Sequence, residues 1–81
     1  MPAKGQFIQI GRRAWSYSTA LLDVLEDGQT VGNITKYSPT TSRHQNEAGV
    51  HSADIKLDGV PRGTEDLAAY YHQQRTLRQA A

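Results

Sequence analysis

Residues 14–37 read AWSYSTALLDVLEDGQTVGNITKY, and the fold turns on what this stretch becomes. Trp15, Tyr17 and Thr19 have the aromatic and β-branched shapes that suit a pleated surface. Ala20, Leu21, Val24 and Leu25 would equally line one face of a helix capped by Ser18 and stopped by Gly28. The residues after Leu25 favour the strand over residues 14–25. Asp27-Gly28 is a preferred two-residue hairpin turn, because both central positions require φ above zero. Residues 30–37 then read as a returning strand. In that register Leu21 faces Ile34 and Val24 faces Val31, and such cross-strand apolar pairs hold a hairpin together.

Upstream, Phe7, Ile8 and Ile10 predict a strand over residues 6–10 that ends at Gly11, behind a loose lead-in over residues 1–5. Downstream, Pro39 closes the returning strand. Ser42 with Gln45 forms a capping-box pattern, and Gly49 suits a left-handed helix end, which predicts a short helix over residues 43–48. Ala53, Ile55 and Leu57 alternate with polar residues at the period of a half-buried strand, and Asp58-Gly59 turns the chain. Thr64 as N-cap, with Glu65 and Asp66 in the first turn, opens a C-terminal helix over residues 65–79. Its stripe is Leu67, Tyr70 or Tyr71, Gln74 and Leu77, with Arg75 and Arg78 in the last turns. Adjacent helical residues point about 100° apart, so Tyr70 and Tyr71 are not expected both to be core. The expected architecture is one α+β domain over residues 1–81. A small antiparallel sheet of three to four strands carries a short helix, and the C-terminal helix packs on it.

Composition bounds the function. A chain of 81 residues with 37% hydrophobic residues and no cysteine builds a thin core without disulfide or thiolate-zinc support. That predicts help from a second surface, either a homo-oligomer or a bound partner. The net charge of +1 is distributed as +3 over residues 1–13, −3 over 14–35, +1 over 36–62 and zero beyond. A strong sequence-independent nucleic-acid binder is normally more basic. No apolar run reaches the length of a membrane span and none suits a signal peptide, so a cytoplasmic protein without membrane contact is expected.

Two sets of residues are candidates for a site. Arg12, Arg13, Trp15 and Tyr17 interleave bases with aromatics, the residue types enriched as anchors at protein interfaces and able to stack on single-stranded nucleic acid. The plain alternative is that Trp15 and Tyr17, on one side of a strand, are core. The second set is Lys36, Thr40, Thr41, Ser42, Arg43 and His44. Hydroxyls and cations at a helix start suit a phosphate, although hydroxyls there also serve as ordinary caps. His44, Glu47 and His51 lack the spacing of a metal site, and no cofactor motif, nucleophile elbow or glycine-rich phosphate loop is present. A chain this short also struggles to bury the kind of pocket that shifts catalytic pKa values. A non-enzyme is therefore expected.

The runs Thr35-Lys36-Tyr37-Ser38-Pro39-Thr40-Thr41-Ser42-Arg43-His44-Gln45 and Val60-Pro61-Arg62-Gly63-Thr64-Glu65-Asp66-Leu67 are similar to short proteins of tailed bacteriophages. The resemblance extends from about Ile8 to Leu67. No activity or catalytic residue is assigned to such proteins, so none is carried over. The resemblance implies a phage setting in the host cytoplasm and a protein that binds and inhibits or modulates a host protein, for takeover or counter-defence. Nucleic-acid or nucleotide-phosphate binding through Lys36–His44 is the alternative.

Overall fold

The computed structural model describes residues 7–80, with side chains placed through residue 77. The expected lead-in at residues 1–5 and the side chain of Arg78 lie outside the described residues. In chain order the elements are β1 (Phe7–Ile10), β2 (Arg13–Ser16), β3 (Thr19–Val24), β4 (Thr30–Asn33), α1 (Pro39–Ala48), β5 (Ile55–Leu57) and α2 (Leu67–Ala80), with a 3₁₀ turn at Val50–Ser52 after α1. The strands form one sheet in sequential order, β1 to β5. The fold is α+β as expected, but the sheet has five strands and is mixed.

The parallel pair is β4 with β5, in the register Val31↔Ile55, Gly32↔Lys56 and Asn33↔Leu57. Its cause is α1. A chain that crosses over through a helix re-enters the sheet in its original direction, whereas a tight turn reverses it. Asp54 pins the start of this pair: one carboxylate oxygen accepts from the Thr30 amide at 3.0 Å and from its hydroxyl at 3.2 Å, and Thr30 Oγ1 accepts from the Asp54 amide at 3.0 Å.

Residues 14–25 are not one strand. They divide into β2 and β3 around the two-residue turn Tyr17-Ser18. Trp15 and Tyr17 therefore do not share a strand face; Tyr17 sits in the turn with φ 59°. The β2–β3 register jumps from Trp15↔Ala20 to Ala14↔Leu22, so Leu21 is the extra residue of a bulge. A bulge lets neighbouring side chains share one face, and both Leu21 and Leu22 enter the same apolar cluster. The β3–β4 loop is also one residue longer than a two-residue turn. The Leu25 amide donates to the Gln29 carbonyl at 2.8 Å, the Gly28 amide to the Leu25 carbonyl at 3.0 Å, and Gly28 has φ 91°. This is a three-residue loop with glycine in the left-handed position. The extra residue moves the register by one, so Val24 pairs with Thr30 and Asp23 with Val31.

Pro39 opens α1 rather than merely closing a strand. It occupies the first turn, where its missing N–H costs nothing, and Ser38, not Ser42, is the N-cap, its side chain accepting from the Thr41 amide at 3.2 Å. Gly49 ends α1 at φ 76°. Thr64 does not cap α2. Its hydroxyl donates to the Pro61 carbonyl at 2.7 Å, and Asp66 accepts from the Ala69 amide at 3.0 Å through its carboxylate and from the Tyr70 amide at 3.1 Å through its carbonyl.

Two small cores lie on opposite faces of the sheet. Leu21, Leu22, Ala14, Val50, Ala48 and Ala53 form one under α1 and the 3₁₀ turn, with Phe7 and Ile34 against it. Leu67, Val31, Ala20 and Val60 form the other under α2, where Tyr70 and Tyr71 both pack, each half-buried. Leu77, the last residue of the expected stripe, stays 56% exposed. Asn33 at the end of β4 is fully buried and fully partnered. Its amide nitrogen donates to the Ala20 carbonyl and the Tyr37 hydroxyl, each at 3.0 Å, and its carbonyl oxygen accepts from the Thr35 amide at 3.0 Å.

Candidate functional site

The β1–β2 hairpin extends the sheet past the part that α2 covers. Its turn is Gly11-Arg12, with Gly11 at φ 58°, matching the hairpin turn that places glycine first. Ile8 pairs with Trp15 and Ile10 with Arg13, while Phe7 pairs with Ser16 and Gln9 with Ala14. Side chains alternate across a strand pair, so Phe7, Ala14 and Ser16 face α1, and Ile8, Ile10, Arg13 and Trp15 face the α2 side. There α2 packs on β3 and β4. The result is an apolar depression of about 440 Å³ lined by Ile8, Ile10, Trp15, Tyr17, Ser18 and Glu65. Ile10 is 66% and Tyr17 50% exposed. Trp15 fixes its floor: the ring packs against the α2-side core and its indole N–H donates to the Glu65 carbonyl at 2.9 Å. The Tyr17-Ser18 turn has the same one-positive-φ pattern as Gly11-Arg12, but a tyrosine occupies the place of the glycine. A non-glycine residue there is strained by its Cβ, and the strain holds an aromatic ring at the rim of the depression.

The two arginines of this group part company. Arg12 is exposed in the turn. The Arg13 guanidinium bonds Asp23 at 2.9 Å, and the other Asp23 oxygen accepts from the Ala68 amide at 3.0 Å. Arg13 therefore joins the hairpin to the start of α2. These two residues also line a second groove of about 450 Å³ whose wall carries Glu26, Glu65 and Asp66.

The segment from Lys36 to His44 is divided by α1. Lys36, Thr40 and Arg43 are exposed and Ser42 is half-buried, whereas Thr41 and His44 turn inward and are buried. His44 Nδ1 lies 2.7 Å from Ser16 Oγ, with its ring stacked on Phe7 at 5.1 Å between centroids. Thr41 Oγ1 accepts from Ser38 at 3.1 Å and from Ser16 at 3.5 Å. Thr41 faces a cavity of about 210 Å³ that Ser16, Tyr17, Ser18, Thr19, Tyr37 and Arg62 also help to line. Arg62 lies over the Tyr37 ring at 5.3 Å. Loop 61–65 is held beside β3 by two bonds: Gly63 N–H donates to Thr19 Oγ1 at 2.9 Å and Ala20 N–H to the Thr64 carbonyl at 2.6 Å.

Sequence reasoning did not place Ile8 and Ile10 at a site, nor Ser16, Ser38 and Arg62. A half-buried Ile8 and an exposed Ile10 on a hairpin have no sequence signal distinct from core strand residues. Arg62 is 21 positions from Thr41 along the chain, so only the closed fold brings them to one cavity. Among the described residues no three histidines, aspartates or glutamates converge on a point that would hold a metal ion, and no helix is long and apolar enough to cross a membrane. No protein-family model, no curated protein and no solved structure matches the chain.

Proposed function

We propose that this protein is a non-enzymatic binding protein that docks on a host protein through the open face of its β1–β2 hairpin, in keeping with the phage-type setting and host-cytoplasm location that the sequence resemblance implies. The observation that carries the reading is the cluster of Ile8, Ile10, Trp15 and Tyr17, with Ile10 66% exposed at an edge strand. Leaving an isoleucine in water forgoes burial worth about 1.5–3 kcal/mol. Grouped with two aromatics in a depression, it has the make-up of an interface centre, where a few apolar and aromatic anchors carry most of the affinity. Arg12 at the turn adds a rim cation. The same face serves equally for self-association, so a homo-oligomer formed through it belongs to this reading.

The arrangement closest to a nucleophile and base is Ser16 with His44. Ser16 is 1% exposed, and no carboxylate among the described residues bonds the ring; a triad needs that third group to fix the tautomer. This favours a binder over a hydrolase. Nucleic-acid binding through Lys36–His44 draws less support, since Thr41 and His44 face inward while Lys36, Thr40 and Arg43 face water.

The test is capture from host lysate after nuclease treatment, comparing wild type with Ile10→Asp, Tyr17→Ser and the pair Lys36→Ala/Arg43→Ala. The docking reading expects one specific protein to be lost with the first two variants, by about 2 kcal/mol or more in measured affinity, and retained with the pair. Capture that ignores Ile10→Asp but collapses with the pair, or disappears on nuclease treatment, sinks it.

A further inference from the structure

We propose that the cavity between loop 61–65 and the N-terminal end of α1 is a binding site for a phosphate dianion, free or as the end of a small phosphomonoester. Tyr17 and Ser18 border both this cavity and the docking depression, but the inference rests on Arg62, Thr19 and Thr41, which line the cavity and not the depression.

The lining carries the argument. Ser16, Tyr17, Ser18, Thr19, Tyr37 and Thr41 bring hydroxyls, Arg62 brings a guanidinium, and among the described residues no carboxylate lines the cavity. A cavity rich in hydroxyl donors with one arginine and no competing anion suits an acceptor-only ligand. The protons sort the hydroxyls further. Tyr37 is satisfied, donating to the Val60 carbonyl and accepting from Asn33. Thr19 Oγ1 accepts from Gly63, and its own proton has no acceptor among the described residues. Thr41 is only 3% exposed and shares hydrogen bonds with the Ser16 and Ser38 hydroxyls, at 3.5 and 3.1 Å. His44 Nδ1, Ser16 and Thr41 form one hydrogen-bonded chain that leads to the cavity, and in the tautomer with the proton on Nδ1 this chain delivers a donor there. Hydroxyls in such a chain can rotate to present a proton to the cavity, and a phosphate oxygen would accept it.

The geometry also limits the ligand. A volume of about 210 Å³ falls below the range of drug-sized pockets, so it takes a phosphate and a short tail rather than a nucleotide. Arg62 is exposed, stacked on Tyr37 at 5.3 Å. The aromatic face orients its guanidinium while leaving its N–H groups free for a bidentate contact.

The experiment is an amide NMR titration of the full chain with inorganic phosphate and, separately, with O-phospho-L-serine, each against sodium chloride at matched ionic strength. The expected result is a saturable shift of the Ser18, Thr19 and Gly63 amides. Binding should weaken about tenfold or more in Arg62→Ala, since a charge-assisted contact is lost, and less in Arg62→Lys. Thr41→Val should weaken it further, but that buried change risks the fold, so the surface Arg62 variants decide. Binding of phosphate alone identifies a free-anion site, and binding of O-phosphoserine alone a phosphomonoester site; either supports the assignment. Absence of saturable shifts with both ligands, shifts centred elsewhere, or an Arg62→Ala variant that binds like wild type would overturn it.

Discussion

Gly32→Ala should be among the most damaging small substitutions in this protein, against the usual expectation for its type. Replacing a strand glycine by alanine ordinarily stabilises by about 0.5–1 kcal/mol. Gly32 lies in β4 between Leu22 of β3 and Lys56 of β5, and the 3₁₀ turn after α1 rests on its bare backbone. A Cβ there would sit 2.9 Å from the Ala53 Cβ and 3.1 Å from the Val50 carbonyl carbon, and would overlap the Val50 carbonyl oxygen. Relaxed carbon contacts are about 3.5–4.0 Å, so the turn would have to lift by roughly 1 Å. The obstacle is backbone and cannot rotate away. Overpacking of this kind costs about 1–3 kcal/mol, and lifting the turn also loosens Val50 and Ala53, both core. A loss of about 3 kcal/mol follows, a quarter or more of the roughly 4–12 kcal/mol available to a domain of this length. At about 4–8 °C per kcal/mol, Tm should drop by roughly 12–24 °C. Urea melts followed by circular dichroism measure this directly. Adding Ala53→Gly should restore only a minority of the loss, since the Val50 carbonyl remains. A Gly32→Ala protein within about 0.5 kcal/mol of wild type, a change typical of inconsequential surface sites, would refute the seating of the turn on β4.

Three further outcomes are open to measurement. Asp66→Ala should cost about 1 kcal/mol in denaturant melts through loss of the α2 cap, and more than Thr64→Ala, whose hydroxyl serves only loop 61–65; the reverse order would return the cap to Thr64. Tyr17→Gly should raise stability by up to about 1 kcal/mol by relieving the positive φ while weakening partner capture; a loss in Tm would show that the ring supports the fold. The Asp54 carboxyl is held below the ordinary aspartate value of 3.8, first by the Thr30 amide and then by its hydroxyl. Its contribution is complete above the unfolded value and is lost as pH falls through the lower folded value. Below about pH 4, wild type should therefore lose stability more steeply than Asp54→Asn, and superimposable acid curves would remove the role assigned to this group.

Much of the fold was legible in residues whose local chemistry matches their place. The β3–β4 hairpin, the left-handed end of α1 at Gly49, the strand around Ile55 and the existence of the C-terminal helix follow from pattern, although that helix is capped by Asp66 and not by Thr64. The errors share a physical origin in features that local pattern does not encode. A tyrosine stands where a tight turn normally takes glycine, so the break between β2 and β3 is silent. The bulge at Leu21 defeats a count by twos, and one extra loop residue shifts the β3–β4 register. The parallel direction of β5 depends on the crossover through α1, which begins four residues earlier than the capping box at Ser42 implies. At the candidate sites, Trp15 and Tyr17 stood out by type. Thr41 and Arg62 come together through long-range contacts, among them the bonds that Thr19 and Ala20 make to loop 61–65 and the stacking of Arg62 on Tyr37.

The two halves of the sheet are under different constraints. β3 and β4 are covered on both sides, so eight of their ten residues are buried. The open face of the β1–β2 hairpin is not: Ile10 and Tyr17 enter neither core, and Ile10 has no packing role elsewhere, whereas the Tyr17 ring also lies 6.3 Å from that of His44. Drift at Ile10 is thus uncoupled from foldability. A lineage pressed to follow a changing partner could rewrite this face in single steps, each one viable, while the central strands stay fixed.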